Sequence, residues 1–204
     1  MGKNNSVKKI DEEQILKRFE YTVQEYIRFY DFYKNKMIFL DAKPNKAHLK
    51  LAEMEQAGKL SAIVTQNIDG LHQAAGSKNV FELHGSVHRN YCQKCGKFFD
   101  VNYVVNAKGV PYCDECGGII KPDVVLYEEG LDSQTINGAV RAISKADMLI
   151  IGGTSLVVYP AAGMIDYFKG KYLVVLNRDA TSRDKQADLC ITDPIGEVLG
   201  RIRV

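Results

Sequence analysis

Residues 65–95 read TQNIDGLHQAAGSKNVFELHGSVHRNYCQKC, and the rest of the chain is interpreted outward from this stretch. Its start completes a short apolar run, SAIVTQN at 61–67, which is typical of a buried parallel strand that ends in polar residues. A second short run, VFEL at 80–83, leads directly into His84 and Gly85. Because open α/β sheets bind ligands at the carboxyl ends of their strands, we expect these polar residues to line a binding site.

Helices and strands alternate on both sides of this stretch. Residues 11–37 carry apolar side chains at spacings of three and four, which predicts an amphipathic helix that faces a core or, alternatively, a coiled-coil partner. Further helices are predicted at 45–57, 70–76, 134–145, 157–168 and 195–202, and further strands in DMLIIGG, KYLVVLN and ADLCIT. This alternation favours an α/β fold with a doubly wound, Rossmann-like parallel sheet.

Four of the five cysteines form two pairs, Cys92-x2-Cys95 and Cys113-x2-Cys116, separated by seventeen residues. Four soft thiolates at this spacing suit tetrahedral zinc, although an iron site or a redox-active dithiol pair has the same ligands. Four protein ligands leave no position for water, so the metal is expected to be structural. The composition changes over residues 91–121, which indicates an inserted zinc-ribbon module. The fifth cysteine, Cys190, lies in an apolar run and is predicted to be a buried, unreactive thiol.

His84 is the candidate general base, because it follows a strand, precedes glycine and has an ordinary pKa near neutral pH. A structural histidine with satisfied hydrogen bonds is the alternative. The side chains of Gln66, Asn67 and Asp69 supply two amides and a carboxylate to the end of one strand. Alternatively, Asp69 only caps the turn that follows.

A second polar turn, Gly152-Gly153-Thr154-Ser155, follows the DMLIIGG run. Small residues and hydroxyl groups at such a position permit close approach of a phosphate or a ribose, although an ordinary turn between strand and helix has the same composition. Asn177 ends the LVVLN run and is a weaker candidate for the same ligand.

Composition limits the partners of the chain. The formal charge of its 204 residues is +2, which argues against a zinc-ribbon adaptor that binds nucleic acid. A helix needs about twenty apolar residues to span a bilayer, and no apolar run in the sequence is that long. The sequence also has no apolar core of a signal peptide. We therefore expect a cytoplasmic protein without a membrane partner. The oligomeric state is left open.

Several motifs in one order carry a family resemblance. TQNIDGLH, ELHGSVH, the four cysteines, KPDVV, GTSLVVYPAA and LVVLN together resemble the sirtuin (Sir2) family of NAD-dependent protein-lysine deacylases over about residues 31–199. The resemblance implies an NAD-binding Rossmann-like domain of residues 1–90 and 122–204, with a structural zinc ribbon at 91–121. It also implies that an acyl-lysine of a protein substrate binds in the cleft between them, and that its acyl group is transferred to ADP-ribose with release of nicotinamide.

The resemblance also assigns individual roles. His84 corresponds to the base that accepts a proton from the ribose hydroxyls, and Asn67 and Asp69 assist at the nicotinamide and ribose. The residues implied to bind NAD are Gln66, Asn67, Ile68, Asp69, Gly153, Thr154, Ser155, Asn177 and Ile195. Those implied to hold the peptide as an added strand are Val124, Val125, Leu126 and Tyr127, with Val157 opposite.

The chain departs from the family pattern at two places. Where most sirtuins have Phe-Gly-Glu after the valine pair, this sequence has LYEE at 126–129. Sirtuins also begin with a strand, a glycine-rich pyrophosphate loop and a Pro-Asp-Phe-Arg segment, whereas no glycine occurs here between Gly2 and Gly58. We therefore expect the first strand to be absent from the sheet, so that the SAIVTQN and DMLIIGG strands either flank a gap or pair with each other. A truncated, non-catalytic remnant that binds zinc and peptide but little NAD is the alternative function.

Overall fold

The computed structural model of the chain describes residues 12–126 and 128–204. The helices are α1 Glu12–Phe32, α2 Lys46–Gln56, α3 Leu71–Ala74, α4 Val101–Asn106, α5 Ser133–Lys145 and α6 Ile195–Gly200. The strands are β1 Ile63–Thr65, β2 Val80–Glu82, β3 Gly85–Cys92, β4 Phe98–Phe99, β5 Ile120–Val124, β6 Met148–Gly152, β7 Tyr172–Leu176 and β8 Leu189–Ile191. A π-helical turn covers Tyr33–Met37, and 3-10 helices cover Ala161–Tyr167 and Asp184–Gln186.

The chain divides into two compact units. The described residues of the first unit are 12–39 and 90–121, and those of the second are 40–89 and 122–204 without Tyr127. Helix α1 therefore belongs to the unit that contains the cysteines, whereas the sequence analysis assigned residues 1–90 to the Rossmann-like domain. As a statement about folding domains, that assignment stays a prediction.

In the first unit, the carboxyl-terminal half of α1 packs against the cysteine module. The Tyr30 hydroxyl donates to the carbonyl of Ile120, and Lys34 Nζ donates to the carbonyls of Ala107 and Gly109 at 2.6 and 2.7 Å. Tyr30 and Tyr33 are buried, as the helical spacing predicted. Val23 and Tyr26, from the same predicted stripe, are exposed, so the apolar face is covered at Tyr30 and Tyr33 and open at Val23 and Tyr26.

The second unit contains two separate parallel sheets. Strand β1 pairs with β2, and β6, β7 and β8 pair in that order. One core cluster consists of Leu83, Ala139, Ile143, Ala161 and Met164, and both Val64 of β1 and Leu149 of β6 pack against it. A second cluster, around Ala47, Leu176 and Leu199, joins α2 and α6 to the other sheet.

Strands β1 and β6 do not pair with each other within the described part of the chain. In β1, Ile63 and Thr65 bond to β2, because the Ile63 N–H donates to Asn79 and the Thr65 carbonyl accepts from Leu83. Since alternate residues of a parallel strand bond to the same side, the peptide groups of Val64 point away from β2. The sheet is thus open between β1 and β6, which is the first of the two predicted alternatives.

Three sequence expectations were wrong in detail. The helix predicted at 157–168 begins only at Ala161, because Pro160 lacks an N–H and restricts the residue before it. Strand β3, which starts at Gly85, was not predicted as a strand. Cys190 is exposed, because β8 is the outer strand of its sheet and has only β7 beside it.

Candidate active site and metal centre

The four cysteines of the first unit converge on one point. Their sulfur atoms all lie within 4.8 Å of one another. The Sγ atoms of Cys92 and Cys116 are 3.4 Å apart, and those of Cys95 and Cys113 are 3.7 Å apart. Zinc–sulfur bonds of about 2.3 Å in a tetrahedron place the sulfurs about 3.8 Å from each other, so the arrangement fits a structural zinc ion.

The hydrogen bonds of the cysteine cluster favour a bound cation. Burial raises the pKa of the Cys92 thiol, but hydrogen bonds from backbone N–H groups, including that of Lys94, lower it to about 6. The Lys97 N–H lowers the pKa of Cys95, but hydrogen bonds with neighbouring thiols outweigh this effect and raise it to about 12. The backbone N–H groups around Cys92 therefore favour its thiolate, which is the form of cysteine that binds a metal ion.

In the second unit, His84 lies at the end of β2 and is held by the chain that follows β1. Its Nδ1 is 3.1 Å from the carbonyl oxygen of Gln66. A carbonyl can only accept, so this contact places the proton of a neutral ring on Nδ1 and the lone pair on Nε2. No partner for Nε2 is found among the described residues, so this nitrogen is available to a ligand.

The loop from Asn67 to Gly70 is held against strand β3. The Val87 N–H donates to the carbonyl of Ile68 at 3.0 Å, and His88 Nε2 lies 3.1 Å from the carbonyl of Asp69. Gly70 has a φ of +68°, and a Cβ there would lie 2.8 Å from the His88 ring. Glycine is therefore required at this position.

The side chains of the loop partly serve the loop itself. Asp69 Oδ1 accepts from the Leu71 N–H at 3.0 Å, so the capping alternative describes one of its oxygens. The other carboxylate oxygen is not used in that bond. Asn67 is exposed, and its own N–H donates to the Thr65 hydroxyl at 3.1 Å.

The carboxyl end of β6 supplies the second polar turn. Gln66 Nε2 approaches Thr154 Oγ1 at 3.5 Å, which brings the chain ends after β1 and β6 together. Gly153 has a φ of +61° with no atom within 4 Å of an ideal Cβ, and Ser155 is exposed. The turn therefore leaves open space beside its backbone.

Asn177 and Ile195 lie at the next part of the same sheet edge. The Asn177 N–H donates to the carbonyl of Ile191 at 3.1 Å, and its side chain donates to Asp179 at 2.8 Å. A Cβ on Gly152 would lie 2.4 Å from Ile195 Cδ1, so Ile195 packs directly on the end of β6.

The segment predicted to hold a peptide begins inside the unit. Val124 is buried, and the Val125 N–H donates to the carbonyl of His84 at 3.1 Å. The Leu126 N–H is bound by Glu129 Oε2 at 3.0 Å. Val157 is 71% exposed, and Tyr127 lies outside the described residues. The segment is therefore attached to His84 directly through the backbone.

Two residues that the sequence analysis did not assign support this site. His88 contacts the Asp69 loop, and Arg89 forms ion pairs with Glu82 and Asp123. The signal in the sequence that could have found them is their short distance from His84, since residues 85–92 form β3 directly after it.

Comparisons with known proteins identify the family of the chain. The family model described as the Sir2 family matches residues 3–160. An NAD-dependent protein deacetylase of Clostridium acetobutylicum is 66% identical over 84% of this chain and 70% of its own length, and one of Clostridium perfringens is 65% identical over 85% and 72%.

Solved structures give the same result. A structure described as Sir2 with a p53 peptide and NAD+ has a TM-score of 0.80 and 39% identity, covering 90% of this chain and 79% of that one. A structure of Sir2 with the inhibitor EX-527, 2'-O-acetyl-ADP-ribose and a deacetylated p53 peptide has a TM-score of 0.79 and 41% identity, covering 90% and 80%. The chain belongs to the Sir2 family.

Proposed function

We propose that this protein is an NAD-dependent protein-lysine deacetylase, which transfers an acyl group from a lysine side chain to ADP-ribose and releases nicotinamide. The observation that carries the proposal is His84, whose Nδ1 is anchored to Gln66 while Nε2 has no partner within the described residues. The identity to named deacetylases over most of the chain favours this enzyme over a non-catalytic remnant.

When bound, NAD supplies an electrophilic anomeric carbon and a nicotinamide leaving group. His84 Nε2 would accept a proton from a ribose hydroxyl, and the hydrogen bond from its Nδ1–H to Gln66 keeps the ring oriented. The second carboxylate oxygen of Asp69 and the exposed amide of Asn67 would contact the nicotinamide carboxamide and the ribose. Because β3 holds their loop, these side chains are oriented before NAD binds.

The other predicted contacts follow the sheet edge. Gln66 and Ile68 belong to the ribose and nicotinamide end, and Gly153, Thr154 and Ser155 to the phosphate. Asn177 and Ile195 belong to the adenosine. The open space beside Gly153 is consistent with close approach of a phosphate group.

The substrate of the proposal is an acyl-lysine within an extended peptide. Val125, Leu126 and Tyr127 would form backbone hydrogen bonds with it, Val124 would anchor that strand in the core, and the exposed Val157 would contact it from the other side. Such backbone recognition tolerates many peptide sequences.

The metal of the proposal is a structural zinc ion on Cys92, Cys95, Cys113 and Cys116, which takes no part in the chemistry because four thiolates fill its coordination shell. Within the described residues, no helix is long and apolar enough to cross a membrane. A cytoplasmic location is part of the proposal, because the zinc site requires reduced thiols.

The test is turnover of an acetyl-lysine peptide with NAD, followed as deacetylated peptide and released nicotinamide by mass spectrometry. We expect His84→Ala to lower kcat by about 10²-fold or more, since general base catalysis contributes 10²–10⁴-fold. Its melting temperature and zinc content should match the wild type. Absence of turnover by the zinc-loaded wild type at millimolar NAD would contradict the proposal, as would an unchanged kcat in the variant.

A further inference from the structure

Arg89 links the end of β2, two residues before His84, to strand β5. On β3, its NH1 is 2.6 Å from Glu82 Oε2 at the end of β2, and its Nε is 2.7 Å from Asp123 Oδ2 on β5. The Glu82 side chain is only 7% exposed, whereas those of Arg89 and Asp123 are about half-exposed. One guanidinium group thus holds a buried and a solvated carboxylate.

Both carboxylates lie two residues before a group of the proposed active site. Glu82 precedes His84 by two positions, and Asp123 precedes Val125 by two. The Val125 N–H donates to the carbonyl of His84 at 3.1 Å, so the two segments are also joined directly. A change in the spacing between β2 and β5 at Arg89 would therefore displace both the His84 ring and the first peptide-binding residues.

The contact between the strands is already very close beside His84. A Cβ on Gly85 would lie 1.8 Å from the carbonyl oxygen of Asp123. Such a contact leaves the backbone little room to move inward. Movement apart is opposed by the pairing of β3 with β5 and, between β2 and β5, by the two ion pairs of Arg89. Burial alone lowers the pKa of Arg89, but hydrogen bonds and charges from Glu82 and Asp123 raise it, so the guanidinium stays charged.

We propose that Arg89 is a positioning residue of the deacetylase reaction. By bridging Glu82 and Asp123, it sets the spacing between the base His84 and the strand at 124–126 on which the acyl-lysine peptide is aligned. This inference rests on the proposed function. It assigns Arg89 no contact with NAD or with the peptide.

Loss of Arg89 alone does not separate positioning from stability, because it would leave Glu82 buried and unpaired. The test therefore uses the double variant R89M/E82Q, which removes both charges and keeps the side-chain volumes similar. R89K is the second variant, since lysine retains the charge beside Glu82 but lacks the planar fork that reaches two carboxylates. The control is R183M, which removes an ion pair with Asp166 of 2.6 Å elsewhere in the same unit.

We expect R89M/E82Q to melt within a few degrees of the wild type while its kcat/KM for the acetyl-lysine peptide falls at least about tenfold. The KM for NAD should remain unchanged. The kcat/KM of R89K should lie between those of the double variant and the wild type, and the kcat/KM of R183M should equal that of the wild type. The amide of Val125 should exchange with deuterium faster in R89M/E82Q, because its bond to His84 opens more often.

The inference is wrong if R89K and the double variant both keep the kcat/KM of the wild type and the Val125 amide exchanges with deuterium at the wild-type rate. So would a kcat/KM that only follows the melting temperature across the variants. If the wild type has no turnover, the proposed function fails. The exchange of Val125 still decides whether Arg89 sets the strand spacing, since that measurement does not depend on activity.

Discussion

His84 is oriented through one of its two ring nitrogens, and the partner is a main-chain carbonyl. The oxygen of Gln66 cannot donate, so the ring must present its other nitrogen without a proton when neutral. A main-chain partner cannot be removed by exchange of a side chain. The orientation of the base therefore depends on the backbone after β1.

The rings of His48 and His72 contact each other, and both interact with the charge of Asp69. Their ring centroids are 4.7 Å apart, and His72 Nδ1 is buried with no partner in the described part of the chain. Burial lowers the pKa of His48, although Asp69 opposes this change. Burial and then the neighbouring His48 lower the pKa of His72, again against Asp69. Burial thus favours the neutral form of both rings.

This pair predicts a loss of stability in acid. Since the folded pKa values lie below the unfolded value of about 6.5, the unfolded chain takes up protons first as the pH falls through that value. The free energy of unfolding should therefore be highest above about pH 6.5 and should decrease as the pH falls from there through the lower folded pKa values. Urea unfolding at pH 7.5 and 5.5 measures the change, which should be smaller in His72→Asn. Equal changes in both proteins would contradict the assignment.

At the scale of elements, the turn from β2 into β3 is set by one glycine. Gly85 has a φ of +75°, and its Cβ position is occupied by the Asp123 carbonyl. Gly58, after α2, has a φ of +69° but no atom within 4 Å of its Cβ position. The two glycines thus differ in the space around them, and have similar backbone conformations.

We expect Gly85→Ala to lower the free energy of unfolding by more than about 3 kcal/mol, because it combines a backbone clash with an unfavourable φ. Gly58→Ala should cost about 1 kcal/mol, since only the φ is unfavourable. Urea unfolding of both variants measures the difference. If Gly85→Ala costs no more than Gly58→Ala, the close approach to Asp123 is not what requires the glycine.

The open edges of β1 and β6 make a second prediction at this scale. The Asp147 carbonyl and the Gly153 N–H form hydrogen bonds with β7. The backbone N–H and C=O groups of Ile150 therefore point away from β7, as those of Val64 point away from β2. The amides of Val64 and Ile150 should exchange with deuterium faster than those of Ile63 and Ile151. Hydrogen exchange followed by NMR measures this. Equal protection would mean that another strand occupies the opening.

At the scale of the whole molecule, the two units differ in that the first contains the four-cysteine cluster. Around the cysteines, strand β4 has two residues and helix α4 six, so these short elements alone do little to hold the cysteines together. The second unit has core clusters beneath both of its sheets. The two units should therefore respond differently to zinc.

Removal of zinc should unfold the cysteine unit first, because metal binding supplies much of the folding free energy of such a module. Either a chelator or Cys92→Ser should produce an early thermal transition with loss of one zinc equivalent. Cys190→Ser, a matched change at the exposed cysteine, should leave zinc content and melting unchanged. Unaltered melting after verified loss of zinc would contradict this expectation.

Much of the fold and of the candidate site was predictable from local pattern. The spacing of the two cysteine pairs, the position of His84 and the apolar runs of β1, β2, β6 and β7 each depend on residues near one another in sequence. The helix at 157–168 was too long because Pro160 was given too little weight. Cys190 was misplaced because an apolar run does not say whether its strand is central or outer.

Sequence alone determined that four cysteines are suited to bind one metal ion, which histidine is the candidate base, and where β1, β2, β6, β7 and β8 lie, since these follow from residue chemistry and short spacing. Only the tertiary structure decided the contacts between distant segments. Arg89 meets Asp123 thirty-four positions away, and Gln66 meets Thr154 eighty-eight positions away. The tertiary structure also decided between a gap and direct pairing of β1 with β6, the two alternatives that the sequence left open. Such contacts depend on how strands pack across the core, and that packing has no periodic signal in the sequence.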